Sequence, residues 1–231
     1  MTLSTTQLVG FMGFNTAAAV ASITQTDAAV DPTDRTDYTG FFDGKSIGAA
    51  AGRTGVAVCV SRINISVAAT SVTVGGVSAS LIINASTVSD AGTDIWVAAG
   101  VTGTTADIDV VFPSGVGNCG IVVYALYNSA TTATDTLAST ADPPTGTIDV
   151  PASGIALACT CSRIVAAGVT TTWTGLTKNV DATIEDAVSD TTHSAASDAF
   201  AVAQVGMTVT ATPSATPGAI AMAACSFGPA A

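Results

Sequence analysis

Two stretches of the chain read almost alike. GVAVCVSRI fills residues 55–63, and GIALACTCSRI fills residues 154–164. Each opens on glycine, continues through small and β-branched apolar residues, and closes on Ser-Arg-Ile. Such runs are too short for a core helix and carry no 3.6-residue period, so both predict strands. The rest of the text after Gly55 has the same character, with short stretches of Val, Ile, Thr and Ala broken by Gly, Pro, Asn or Ser. Strands are expected near 55–63, 70–75, 77–84, 94–99, 106–112, 119–127, 146–150, 154–163, 168–174, 180–188, 198–204, 206–212 and 219–227. No segment sustains a helical period over three turns, and the fold class is therefore all-β.

The likeness extends beyond the opening pair. At a shift of about 100 residues, SVTVGGV (71–77) meets TTTWTGL (170–176) with Gly76 on Gly175, and DIDVVFP (107–113) meets MTVTATP (207–213) with Pro113 on Pro213. Ile121 of GIVVYAL falls on Ile220 of AIAMAAC in the same way. Two similar strand sets are expected, at about 41–131 and 146–231. A sheet with one apolar face needs a second layer, which predicts a jelly-roll-like β-sandwich domain over 41–231. The two halves are expected to close as one sandwich, with TATDTLASTADPPTG (132–146) as the crossover between them.

Residues 1–40 are set apart as an extended N-terminal arm and linker. A short helix is expected around 16–23. Asp27, Asp31, Asp34 and Asp37 recur around Pro32, which reads as a solvated linker in preference to a calcium loop, because the spacing is not that of an EF-hand. No Lys or Arg precedes Arg35, so the opening lacks the basic start of a secretory signal.

Charge narrows the partners. Six Lys and Arg stand against 17 Asp and Glu, giving a net charge of −11. A chain so short of cations is not expected to bind nucleic acid or an anionic membrane. Only 10% of the residues are charged, while 48% are hydrophobic and the mean hydropathy is +0.55. The longest apolar run, 120–127, falls well short of the roughly 20 residues a membrane-spanning helix requires. The apolar surplus is expected in a core and in contacts with other chains, which implies a homo-oligomer.

Motifs for chemistry are missing from the text. Cys59, Cys119, Cys159, Cys161 and Cys225 are odd in number and match no zinc spacing, and the only histidine is His193. These thiols are expected reduced on cytoplasmic synthesis, with bonds between chains as their alternative use. His193, in SDTTHSAASD, reads as a solvated loop residue, and no G-x-S-x-G, Walker or dinucleotide motif occurs. Asp107 and Asp109 share one strand face as solubilising carboxylates, and Glu185 with Asp186 offers no better acid–base pair. The expectation is a protein without enzymatic activity, cofactor or metal. Trp96 and Trp173 read as core residues. In the alternative reading of a glycan-binding module they would stack on sugar rings together with Tyr127. Arg62 and Arg163 close the two Ser-Arg-Ile ends and are expected to form ion pairs at a sheet edge or to hold a neighbouring subunit.

The series FFDGKSIGAAAGRTGVAVCVSR, SVTVGGVSASLI, DIWVAAGVTGTTADIDVVF, CGIVVYAL and TTWTGLTKNVDATIED resembles a β-sandwich module of virion proteins from tailed bacteriophages and prophages. The likeness covers about residues 41–227. It implies a structural role as a capsid decoration or tail-surface protein, made in the host cytoplasm and located on the virion. The implied partner is the major capsid protein or a tail lattice. The first 40 residues fall outside the likeness; by their own apolar character Leu8, Phe11 and Phe14 of the arm are expected as docking residues, beside Arg62 and Arg163.

Overall fold

The computed structural model describes residues 19–88, 90–164, 168–184 and 191–231. The first half of the chain forms β1 (Ser22–Asp31), β2 (Arg35–Asp37), β3 (Phe42–Ser46), β4 (Arg53–Ile63), β5 (Ser71–Val74), β6 (Val77–Ser78), β7 (Ser80–Ser86), β8 (Ala91–Ala99), β9 (Thr105–Val116) and β10 (Cys119–Tyr127). The second half forms β11 (Asp135–Ser139), β12 (Thr145–Val150), β13 (Gly154–Arg163), β14 (Thr171–Thr174), β15 (Lys178–Ile184), β16 (Thr191–Phe200), β17 (Gln204–Pro213) and β18 (Ala219–Phe227). Among the described residues no helix occurs, and the fold is all-β.

A strand buried on one face alternates in polarity, whereas one buried on both faces reads as a continuous apolar run. The run at 55–63 is of the second kind, since every residue of β4 from Gly55 onward is buried. Its two faces serve two cores. Val56, Val58 and Val60 pack with Val72 and Val74 of β5 and with Ile108, Val110 and Phe112 of β9. Ala57 and Cys59 point the other way and meet Leu157, Cys159, Ala223 and Cys225 of the second half. In β13, Ala156 and Ala158 pack instead with Val209 and Ala211 of β17. The molecule is therefore four sheets deep.

The inner sheet of the first half has the order β1-β10-β4-β8-β7, and that of the second half has the order β11-β18-β13-β16-β15. Position by position these are the same arrangement. The outer sheets correspond as well: β9 carries β5 with β6 on one side and β2 and β3 on the other, while β17 lies between β12 and β14. All pairings are antiparallel. Each half is thus a β-sandwich, and the two sandwiches stand back to back on their inner sheets.

Several expectations require correction. The halves do not close as one two-sheet sandwich, because both faces of each inner sheet are apolar and each needs its own covering layer. Residues 22–37 are not a linker: β1 is the edge strand of the first inner sheet and pairs with β10 along its length, with a bulge between Gln25 and Asp27. Ile23, expected in a helix, lies in that strand, and the remainder of the expected helix up to 18 lies outside the described residues. The crossover text at 132–146 contains β11, the counterpart of β1. Residues 201–203, expected inside a strand, instead form the turn between β16 and β17. The repeated glycine turn holds, with Gly76 and Gly175 both in the left-handed region at φ of 75° and 87°.

Candidate functional site

The shift of about 100 residues that aligns the repeats has a consequence at the arginines. Side chains alternate along a strand with a period of two, so a one-residue difference in register exchanges the faces. Even-numbered residues face the outer sheet in both β4 and β13, and Arg62 and Arg163 therefore point in opposite directions. Arg62 enters the interior of the first sandwich, wholly buried, with Nη1 2.9 Å from Asp94 Oδ1 and the guanidinium 6.0 Å from the centre of the Phe112 ring. Asp94 is further held by Asn84 Nδ2 at 2.5 Å and by the Ala69 amide at 3.0 Å. Among the described residues, no well-aligned acceptor serves Nε or either Nη of Arg62, so its charge leans on Asp94. Neither a sheet-edge pair nor a subunit grip is open to this arginine. Arg163 faces the first half and pairs with Asp90 in the turn after β7, so it too bonds within the chain.

The seam between the inner sheets carries the groups that chemistry could use. His193 is not a loop residue: it lies in β16, wholly buried, with Nδ1 against the Ser61 hydroxyl of the opposite half. Burial pushes its pKa down to about 4, against the weaker pull of Asp181, so the imidazole is neutral at ordinary pH. Asp181 pairs with Ser194 in the ladder, one residue away from His193, and hence lies on the other face of the sheet. Ser61, His193 and Asp181 do not converge as a triad, and no substrate reaches Ser61 through two packed sheets. Around them Thr93 Oγ1 lies 3.0 Å from Cys159 Sγ, Ser61 Oγ donates to the Thr160 carbonyl at 3.4 Å, and Asn118 Nδ2 donates to Thr191 Oγ1 at 3.1 Å. All of these bonds join one half to the other.

The five thiols are buried and unpaired. Cys59, Cys159 and Cys225 line the seam, and Cys119 lies in the first sandwich. Burial raises Cys59, Cys119 and Cys225 well above the ordinary thiol range and pushes Cys161 up to about 12, despite hydrogen bonds and the nearby Arg62 charge that lower it. Bonds between chains, the alternative use of these cysteines, are closed to a folded molecule because no sulfur is accessible.

Other expected residues sort by exposure. Trp96 is 6% exposed and offers no ring to a sugar. Trp173 is half-buried and donates Nε1–H to Ser194 Oγ at 2.9 Å. Asp107 and Asp109 lie on the solvent side of β9 as expected, where they accept from the Gly44 amide (2.8 Å) and the Thr73 hydroxyl (2.9 Å). Asp31 belongs to β1. Burial raises its carboxyl, but bonds from Thr33 and Arg35 outweigh that and hold it below the usual range. Glu185 and Asp186, like Leu8, Phe11 and Phe14, lie outside the described residues. Among the described residues no group of three or more His, Cys, Asp or Glu could hold a metal ion.

The outside carries a few exposed aromatic and apolar side chains. Phe41 is 44% exposed, and the Arg35 guanidinium lies 3.6 Å from its ring centre while Arg35 Nε pairs with Asp31. Val67, Val88 and Val202 are exposed at loops and turns, and Val205, at the start of β17, is 86% exposed. Sequence reasoning missed Arg35 and Phe41, although an aromatic pair beside the lone arginine of an acidic stretch was a signal. Compared with protein-family models, curated proteins and solved structures, the chain matches none.

Proposed function

We propose that the chain is a structural component of a tailed-phage particle, decorating or stabilising the capsid through protein–protein contacts and catalysing no reaction. The observation that carries this reading is the Arg35–Phe41 pair, an exposed ring under a guanidinium. Its exposed neighbours in the chain are Thr36, Asp37, Thr39, Gly40 and Asp43. Arginine and aromatic residues are the types that concentrate binding energy at protein interfaces. The rest of the architecture supports the same role. The thiols, the histidine and one arginine are spent inside a four-layer body, and the net charge of −11 keeps it off packaged DNA.

The test is co-sedimentation of the purified chain with capsid shells that lack it. Saturable binding is expected, and Phe41→Asp should abolish it while leaving circular dichroism and melting unchanged. Absence of binding by the unaltered chain to either capsid or tail assemblies would defeat the reading.

A further inference from the structure

Where the edge of the first inner sheet meets the edge of the second, a groove of about 500 Å³ opens to solvent. One wall is β1, contributing Thr24 and Gln25, and the other is β15 with the end of β16, contributing Thr177, Asn179 and Asp198. We infer that this groove is a binding site for a neutral, hydroxyl-rich ligand of the size of a pyranose sugar or a short glycan, a site separate from the Arg35–Phe41 surface.

The polar groups of the groove are fixed in place by the fold. Tyr124, fully buried and the ladder partner of Gln25, donates its hydroxyl to Asn179 Oδ1 at 3.0 Å, and Ser197 donates to the same oxygen at 2.8 Å. Both bonds use the carbonyl end of the amide, which leaves its NH₂ as the free donor. Asp198 accepts the Thr177 amide on Oδ2 at 2.7 Å. Among the described residues its Oδ1, the Asn179 NH₂ and the Gln25 amide have no partner in the protein. A carboxylate oxygen and an amide NH₂ lining the same groove offer one acceptor and one donor, the two roles that sugar hydroxyls call for.

Charge separates this ligand from the alternatives. Lys178, the only cation on the walls among the described residues, is already paired with Asp181 at 2.6 Å, so no free positive charge among them awaits a phosphate or carboxylate. A single free carboxylate oxygen is too few ligands for a divalent cation. The volume lies within the range of small-molecule sites, which occur preferentially where two domains meet.

The experiment is a two-dimensional ¹⁵N NMR titration of the full chain with the methyl glycosides of glucose, galactose, mannose and N-acetylglucosamine, followed by their disaccharides. At least one sugar should shift the Gln25 and Asn179 side-chain amides, leaving the Arg35 and Phe41 resonances in place. Asp198→Asn removes the free acceptor yet retains an oxygen for the Thr177 amide, and Gln25→Ala alters only the opposite wall. Each should weaken binding about three- to tenfold with an otherwise unchanged spectrum. No shift with any of these sugars, shifts elsewhere on the surface, or an affinity indifferent to both variants would overturn the inference. None of those results bears on capsid binding.

Discussion

The two sandwiches share a strand order but not a solution to the same structural problem. At matching places, where the inner sheet turns toward its outer sheet, each half buries polar side chains. The first half uses ions: Arg62 and Asp94, both wholly buried, with Asn84 and the Ala69 amide completing the carboxylate. The second half uses neutral groups, Trp173 Nε1–H donating to Ser194 Oγ, which in turn donates to the Val180 carbonyl at 3.0 Å, and its adjacent carboxylate, Asp181, reaches outward to pair with the exposed Lys178. The cores around them differ too. Tyr38, Phe42 and Phe112 pack together in the first, with centroids 5.9 Å apart in two of the pairs, while Ala156, Ala158, Ala196, Ala211 and Ala224 fill much of the second. One topology thus tolerates a large, charged interior and a small, neutral one, because the backbone ladder and the apolar faces set the fold.

The sharpest way to break this comparison is Asp94→Ala. Removing one partner of a buried ion pair strands the other charge, which costs about 3–5 kcal/mol. Chemical denaturation should show the first half, or the whole chain if it unfolds as one unit, losing that much. A loss no greater than that of Ser194→Ala would mean that Arg62 finds another counter-charge, and the contrast between the halves would vanish.

Acid should act next, at the seam that the halves share. His193 is neutral in the fold, with a pKa of about 4 against an ordinary value of 6.5. Its contribution is fully present above about pH 6.5 and is lost as pH falls toward 4, since the unfolded chain binds the proton first. The total is up to about 3 kcal/mol. Asp31 and Asp37, both held below the ordinary carboxylate value, titrate in more acid solution than the histidine. Urea midpoints measured across the window should fall for the unaltered chain and stay flatter for His193→Gln. Equal slopes would show that the seam opens without protonating His193.

How much of this was legible in the text follows from which signals survive burial on two faces. Runs such as 55–63 and 119–127 announced strands, and their lack of alternation already contained the four-layer answer. A single sandwich would have required Ala57 and Cys59 to face water. β1 was missed because Asp27 and Asp31 made it look solvated, although those carboxylates accept from the Ser46 amide of β3 and from the Thr33 amide just past the strand's end. His193 was misread for a related reason. Its neighbours Thr191, Thr192 and Ser194 are polar, yet all three are buried in a strand and not in a loop: Thr191 accepts from Asn118 across the seam, while Thr192 and Ser194 bond within the second half. The matched Ser-Arg-Ile ends misled because identity in the sequence says nothing about which face a residue takes. The groove at the seam had no signature at all, since β1 and β15 lie more than a hundred residues apart and only the back-to-back packing joins them.

A smaller effect is expected from Ser194→Ala, the neutral counterpart of the first substitution. It leaves the half-buried Trp173 N–H without its acceptor, at about 1–3 kcal/mol. Ser194→Thr, which retains the hydroxyl, should recover most of that loss. Tryptophan fluorescence should report the change directly in Trp173 while the buried Trp96 is unmoved, which confines the effect to the second sandwich.

The smallest effect belongs to the outer faces, where the halves differ most to the eye. The first presents carboxylates such as Asp107. The second presents threonines across β12, β17 and β14, with Thr145 and Thr210 hydroxyls 2.7 Å apart. Both ladders are open to water, so an exchanged hydrogen bond there is nearly neutral. Thr145→Ala should change stability by no more than about 0.5 kcal/mol. A loss several times larger, measured by the same denaturation, would mean that the threonine ladder helps to hold the thin three-stranded sheet together. The small outer layer, and not the ion pair inside the first sandwich, would then be the more consequential difference between the halves.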